Sequence, residues 1–171
     1  MDNAIENIRA NIAGLLPRLR RFGRTITRNA EDADDLVQMA VERALKRVDQ
    51  WQQGTRLDSW IFSIMKNAWI DETRSRARRS RLFAAEEEGE QIGVCHTEQQ
   101  ISAMEVQKAM AQLPDEQRLA IGLVLVEGLA YKEAAETLQI PIGTLTSRLA
   151  RGREALQAIL SAGEARSQVR T

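Results

Sequence analysis

Thr144, Ser147, Arg148 and Arg151 combine hydroxyl and guanidinium groups at helical spacing near the C-terminal end of the sequence. On a helix they share one side, while Leu145, Leu149, Leu156 and Ile159 line the other. A polar front of this kind near a helix start suits the major groove of a duplex. Arginine forks reach guanine edges or phosphates, and Ser or Thr can bond to either. The plain alternative is an amphipathic surface helix with solvated arginines. A second group lies in RSRARRSR, residues 74–81, with five arginines in eight positions. Cations favour a helix C-terminus, but five exceed what capping needs. Preceded by Trp60, Asn67 and Trp69, they suit single-stranded or partly melted nucleic acid, with phosphates neutralised and bases stacked or hydrogen-bonded. Tryptophans at helical spacing also fit a core role.

The first group must be carried by a helix held against its predecessor. Residues 131–138 are helix-compatible, 139–142 form a break that includes Pro141, and a second helical segment opens at Gly143, which together read as a helix-turn-helix. The strongly apolar segment 115–127 predicts a buried helix, stopped by Gly128 in a left-handed conformation. Before it, Ile101, Met104, Val106 and Met110 mark a helix that Leu113 and Pro114 end. The arginine run closes a long helix over residues 57–81 with Leu57, Ile61, Ile64, Met65 and Ala68 inward and Lys66, Asn67, Asp71 and Arg74 away from that stripe. A loop with Gly54 precedes it, and Asp58 helps start it. Upstream, Asn29 fits the N-cap of a helix with an acidic first turn, whose buried stripe is Leu36, Ala40, Ala44 and Val48. Asp35 and Gln38 lie off that stripe, for solvation or for a basic or polar partner surface. Ile5, Ile8, Ile12 and Leu15 make a first amphipathic stretch, and Pro17 suits the opening of the next helix.

The 171 residues carry 24 basic and 24 acidic side chains, so the net charge is silent about partners. Its distribution is not. Residues 1–81 hold 16 basic and 11 acidic residues (net +5), 82–116 hold 1 and 8 (net −7), and 117–171 hold 7 and 5 (net +2). Two mildly basic modules with an acidic spacer follow. The chain is therefore expected to be all-α: two small helical domains, 1–81 and 101–162, joined by a flexible linker at 82–100, with a disordered tail at 163–171. Cys95 beside His96, the only residues of their kinds, cannot close a zinc site, which takes about four ligands. No disulfide, metal or cofactor is expected. No nucleophile triad or phosphate-cradling glycine loop is present, so an enzyme is not expected either. No apolar run approaches the ~20 residues of a membrane span and no signal-peptide core is evident, which predicts a cytoplasmic protein.

Three stretches carry a resemblance to one family. DADDLVQMAVERAL (32–45) resembles a DAEDLVQ-type helix, LDSWIFSIMKNAWIDETRSRARR (57–79) a promoter-melting helix, and LPDEQRLAIGLVLVEGLAYKEAAETLQIPIGTLTSRLARGREAL (113–156) a C-terminal domain with the signature L-P-x-x-x-R, E-G-L-S-Y-x-E-I-A and G-T-V-x-S-R-x-x-R. All three belong to bacterial alternative sigma factors of the extracytoplasmic-function (ECF) group, which the chain resembles over about 140 residues. LPRLRRFGRTITRN (16–29) is reminiscent of the general-stress branch. The resemblance implies that Asp35, Leu36 and Gln38 contribute to docking on core RNA polymerase. It implies that Trp60, Lys66 and Asn67 face a melted downstream promoter element whose phosphates Arg74, Arg76, Arg78 and Arg79 hold. It also implies that Tyr131, Lys132, Thr144, Thr146, Ser147, Arg148 and Arg151 face a duplex upstream element. An anti-sigma factor is an implied further partner. Thr146 and Ala150 depart from the family pattern on the reading helix, as do Ala130 at the capping Ser and Gln139 at a frequent Gly. The main rival is a stand-alone helix-turn-helix regulator of duplex operators, and a second is a coating protein that uses the arginine run.

Overall fold

The computed structural model describes residues 2–82 and 98–168, and every regular element among them is helical. The expected linker falls mostly on residues 83–97, with Cys95 and His96, outside the described residues.

The first helix, α1 (Asp2–Ile26), runs through Pro17. Proline removes one backbone donor and usually breaks a helix. Here, however, Ile8, Ile12, Leu19, Phe22 and Ile26 are all buried, so one stripe continues past the proline on both sides. Packing of that stripe overrides the expected break, while Pro17 itself faces solvent. Helix α2 (Ala30–Lys46) starts where Asn29 Oδ1 accepts the Asp32 N–H at 2.7 Å, the expected N-cap. It buries Leu36, Val37, Ala40 and Ala44, whereas Val48 lies beyond it in a 3-10 turn, Val48–Gln50. Helix α3 (Leu57–Leu82) buries Ile61, Phe62, Met65, Ala68 and Trp69. The Phe22 and Phe62 rings, 4.8 Å apart, tie it to α1. From Arg76 onward every residue of α3 is exposed, so its basic end projects past the bundle.

The second bundle comprises α4 (Glu98–Ala111), α5 (Asp115–Ile121), α6 (Tyr131–Leu138) and α7 (Ile142–Gln168). The expected single helix over 115–127 divides after Ile121 into a π turn, Gly122–Val126, where the Glu127 N–H donates to the Gly122 carbonyl at 2.9 Å. Gly128 then takes the left-handed conformation expected of it (φ 72°). Arg118 is fully buried, pairs with Asp115, and donates to the Ala111 carbonyl at 3.2 Å, closing the end of α4. Helix α7 continues to Gln168, where a disordered tail from residue 163 was expected. With a rise of about 1.5 Å per residue it is by far the longest lever of this bundle.

The two bundles share one continuous apolar core, with α1 lying on α4, α5 and the π turn, and α3 on α6. The contact is close at Gly122, where a Cβ would come within 3.1 Å of Phe22 Cε2 and 3.2 Å of Thr25 Cγ2. Without a side chain, the π turn seats directly on these two side chains of α1.

Candidate nucleic-acid interface

The helix-turn-helix is built as its residues dictate. Gln139 closes α6 in the left-handed region (φ 56°), and the Ile140 N–H returns to the Ala135 carbonyl at 3.0 Å. A side chain in this conformation costs roughly 1 kcal/mol relative to glycine, and the double capping contact offsets it. Ala130 has no side-chain acceptor, so only half of a capping box forms, from the Ala130 N–H to Glu133 Oε2 at 3.3 Å. Behind the reading surface, Leu145 and Leu149 are buried, and Leu156 and Ile159 half-buried. Gly152 lies so close to α5 that a Cβ there would meet Ile121 Cδ1 at 2.7 Å.

The front of α7 is solvent-facing. Ser147 and Arg151 are exposed and unpaired among the described residues, Thr144 is half-exposed, and Tyr131 and Lys132 open α6 beside them. Thr146 is exposed but donates its hydroxyl to the Ile142 carbonyl at 2.6 Å, leaving only its oxygen free to accept. Arg148 meets Glu116 on α5 at 3.3 Å. Exposed pairs contribute at most about 1 kcal/mol, so a base or phosphate can replace this carboxylate at little cost.

On α3 the expected strand-facing group divides. Asn67, Arg74 and Arg78 are exposed without partners among the described residues, and Trp60 is half-buried. Arg79 is exposed with a 3.2 Å contact to Glu72. Lys66, by contrast, is buried, its Nζ 3.5 Å from Gln139 Oε1, and burial pushes its ammonium below the usual lysine range. Arg76 is also committed. Its guanidinium forks onto Asp32 at 2.7 and 2.8 Å, contacts Glu72 at 2.8 Å and lies 5.9 Å from the Trp69 ring centroid. That fork, working against burial, holds the Asp32 carboxyl below its ordinary value. Arg76 therefore fastens α3 to the start of α2 while its side chain stays about half exposed. On α2, Asp35 and Gln38 are exposed, while Leu36 is 4% exposed and belongs to the core rather than to an outward contact.

Beside Trp60 lies a charge network that the sequence reading omits. Arg18 joins Asp58 (2.6 Å) and Glu127 (3.1 Å), Arg21 joins Glu127 (2.9 Å), and Arg56 joins Asp58 (2.6 Å) and Glu133 (2.8 Å). Burial raises the Asp58 carboxyl, but hydrogen bonds from Arg56 and Arg18 outweigh it and hold the group at about 2. Apart from Arg56–Asp58, two positions apart, no local pattern signals these contacts. Arg18 and Glu127 are 109 positions apart, and Arg56 and Glu133 are 77 apart.

Two known domains match this architecture. Sigma-70 region 2 covers residues 12–79, from α1 to the basic end of α3, and Sigma-70 region 4 covers 103–156, from α4 into α7. Fold and surfaces thus define a sigma factor of the sigma-70 class. The chain is 33% identical over 159 residues to the ECF RNA polymerase sigma factor EcfG of Rhodopseudomonas palustris, across 91% of this chain and 86% of that protein. It is also 33% identical over 153 residues to SigE of Mycolicibacterium smegmatis, across 84% and 58%. The chain belongs to the ECF RNA polymerase sigma factors. Among solved structures, the sigma factor RpoE from Bartonella quintana, co-crystallised with the anti-sigma factor NepR, matches at TM-score 0.76 and 28% identity over 91% of this chain and 98% of that one. CnrH, in complex with the cytosolic domain of CnrY, has the same fold at TM-score 0.66 and 21% identity. As a sigma factor the chain acts with core RNA polymerase in recognising and opening promoters.

Proposed function

We propose that the chain holds one promoter at two places, with a different surface for each physical state of the DNA. The upstream element is read as duplex by the front of α7, through Ser147, Arg148 and Arg151, with Thr144 and the oxygen of Thr146 beside them and Tyr131 and Lys132 at the flank. The downstream element is held melted on α3, where Trp60 and Asn67 take an unpaired base and Arg74, Arg78 and Arg79 hold phosphates. Unstacking costs a few kcal/mol per base, which a pocketed base and neutralised phosphates offset. Asp35 and Gln38 contribute the outward contact to core polymerase, with Leu36 supporting α2 from inside. Lys66 and Arg76 position α3. The observation that carries the reading is the solvent-facing polar front of α7, with Ser147 and Arg151 exposed and unpaired among the described residues, on a buried leucine back, together with a separate projecting basic helix end. The Bartonella neighbour's complex with NepR supports an anti-sigma factor as a further partner, and work on promoters places the chain in the cytoplasm.

The test uses core polymerase and a promoter found by transcript mapping after overexpression in the native host. Asn67→Ala is expected to slow initiation on duplex template, to recover on a template opened beforehand, and to keep co-eluting with core. Loss of core binding with normal opening would overturn the assignment of α3. Tight operator binding without any polymerase-dependent initiation would instead favour a stand-alone regulator.

A further inference from the structure

With α1 on one side and α4, the π turn and α7 on the other, a recess of about 640 Å³ opens to solvent. Its wall is aliphatic, built by Val106 and Met110 of α4, Leu125 and Val126 of the π turn and Leu156 of α7. Val106 is 41% and Leu125 46% exposed, so two large apolar side chains on one wall are left to water. The α1 side carries Arg20, Arg21 and Arg24. Arg21 is already joined to Glu127 by two hydrogen bonds of 2.9 Å. Arg20 and Arg24 are exposed and have no carboxylate partner among the described residues. They stand one helical turn apart, where like charges repel, and an anion between them relieves that repulsion. Among the described lining side chains none is aromatic, and Thr25 and Gln107 are the only neutral polar ones. The Thr25 hydroxyl is donated to the Arg21 carbonyl at 2.9 Å. Such a wall has no ring on which a base could stack and few groups to read one, and it suits a plain hydrocarbon chain.

We propose that this recess binds one long-chain acyl carboxylate, its tail along Val106, Met110, Leu125 and Leu156 and its head between the Arg20 and Arg24 guanidinium groups. The volume lies within the about 300 to 1,000 Å³ typical of small-molecule sites. Buried methylenes supply the affinity, about fourfold for each one taken out of water. The arginine pair selects the head, because hydrogen bonds between ionised partners are about twice as strong as neutral ones. A concave wall takes up a single chain, whereas contact with a bilayer calls for apolar side chains that project.

The experiment uses the full chain and a dansyl-labelled undecanoate, displaced by decanoate, laurate or lauryl alcohol below their micelle-forming concentrations. Laurate is expected to displace the probe at one molecule per chain and about tenfold more tightly than decanoate. Lauryl alcohol is expected to bind about tenfold more weakly than laurate. Arg20→Gln combined with Arg24→Gln weakens laurate about tenfold and abolishes its advantage over the alcohol. Leu125→Asp, at a half-exposed position, weakens the probe and all three competitors at least tenfold. Arg47→Gln combined with Arg81→Gln removes two exposed arginines that do not line the recess and keeps the parent's affinities. Far-UV circular dichroism checks that each variant folds as the parent does, and should Leu125→Asp unfold, the Arg20 and Arg24 double variant decides alone. Absence of saturable displacement overturns the proposal. So does laurate binding that neither recess variant changes, or that the Arg47 and Arg81 variant weakens equally. Association with phosphatidylglycerol vesicles but not with monomeric laurate would make this face a bilayer contact and overturns it as well.

Discussion

Arg148 and Arg118 show how differently two arginines of one small bundle are used. Arg148 is 25% exposed at its side chain and held only by a surface carboxylate. Its replacement by alanine is expected to weaken recognition of the upstream element by about 1 to 3 kcal/mol while leaving thermal stability unchanged. Competition binding against duplexes altered at single positions measures the first, and thermal melting the second. Arg118 is fully buried, and burial pushes its guanidinium below the usual arginine range against the pull of Asp115. Arg118→Ala strands the carbonyls at the end of α4 and leaves a cavity, so it is expected to cost about 3 kcal/mol in denaturant unfolding. At this scale the sequence was informative where spacing decides the matter, because Leu145 and Leu149 against Ser147 and Arg151 follow from helical geometry alone. It did not show two contacts made by other parts of the chain: Lys66 lies off the inner stripe of α3 yet is buried with Gln139 beside it, and the exposed Arg76 is forked onto Asp32. Periodicity within one helix says nothing of what another lays against it.

Local rules set most of the elements, and where they fail the competing force is visible. Asn29 caps α2 as its side chain and the acidic first turn require. Asn29→Ala is expected to cost about 1 kcal/mol, read as a lowered unfolding midpoint at unchanged denaturant slope. Pro17 fails as a stop signal because the buried stripe of α1 recurs at three- and four-residue steps on both sides of it. The division of 115–127 into α5 and a π turn has no composition signature. It begins at Gly122, which lies under Phe22 and Thr25 of a different part of the chain. The end of α7 was likewise hidden, since the polar residues after Ala162 resemble a tail as much as a helix.

The assembled molecule responds to acid through its charge network. The Asp58 carboxyl, at about 2 in the fold, lies below its ordinary 3.8. A depressed carboxylate contributes stability that is complete above its unfolded value and is lost as pH falls through the folded one. The chain is therefore expected to lose stability between about pH 4 and pH 2, and Asp58→Asn to flatten that part of the profile, as followed by equilibrium unfolding at each pH. Two modules and an acidic spacer were legible from charge distribution, whereas their closure against each other was not, since its ion pairs join residues 77 to 109 positions apart. At Gly152 hydrogen alone separates α7 from Ile121. The main chain of α7 thus rests directly on the side chains of Ile121 and Gln117. Paired contacts to a base tolerate errors of only about half an ångström, so the base reading proposed for α7 would draw part of its accuracy from an atom that is not there.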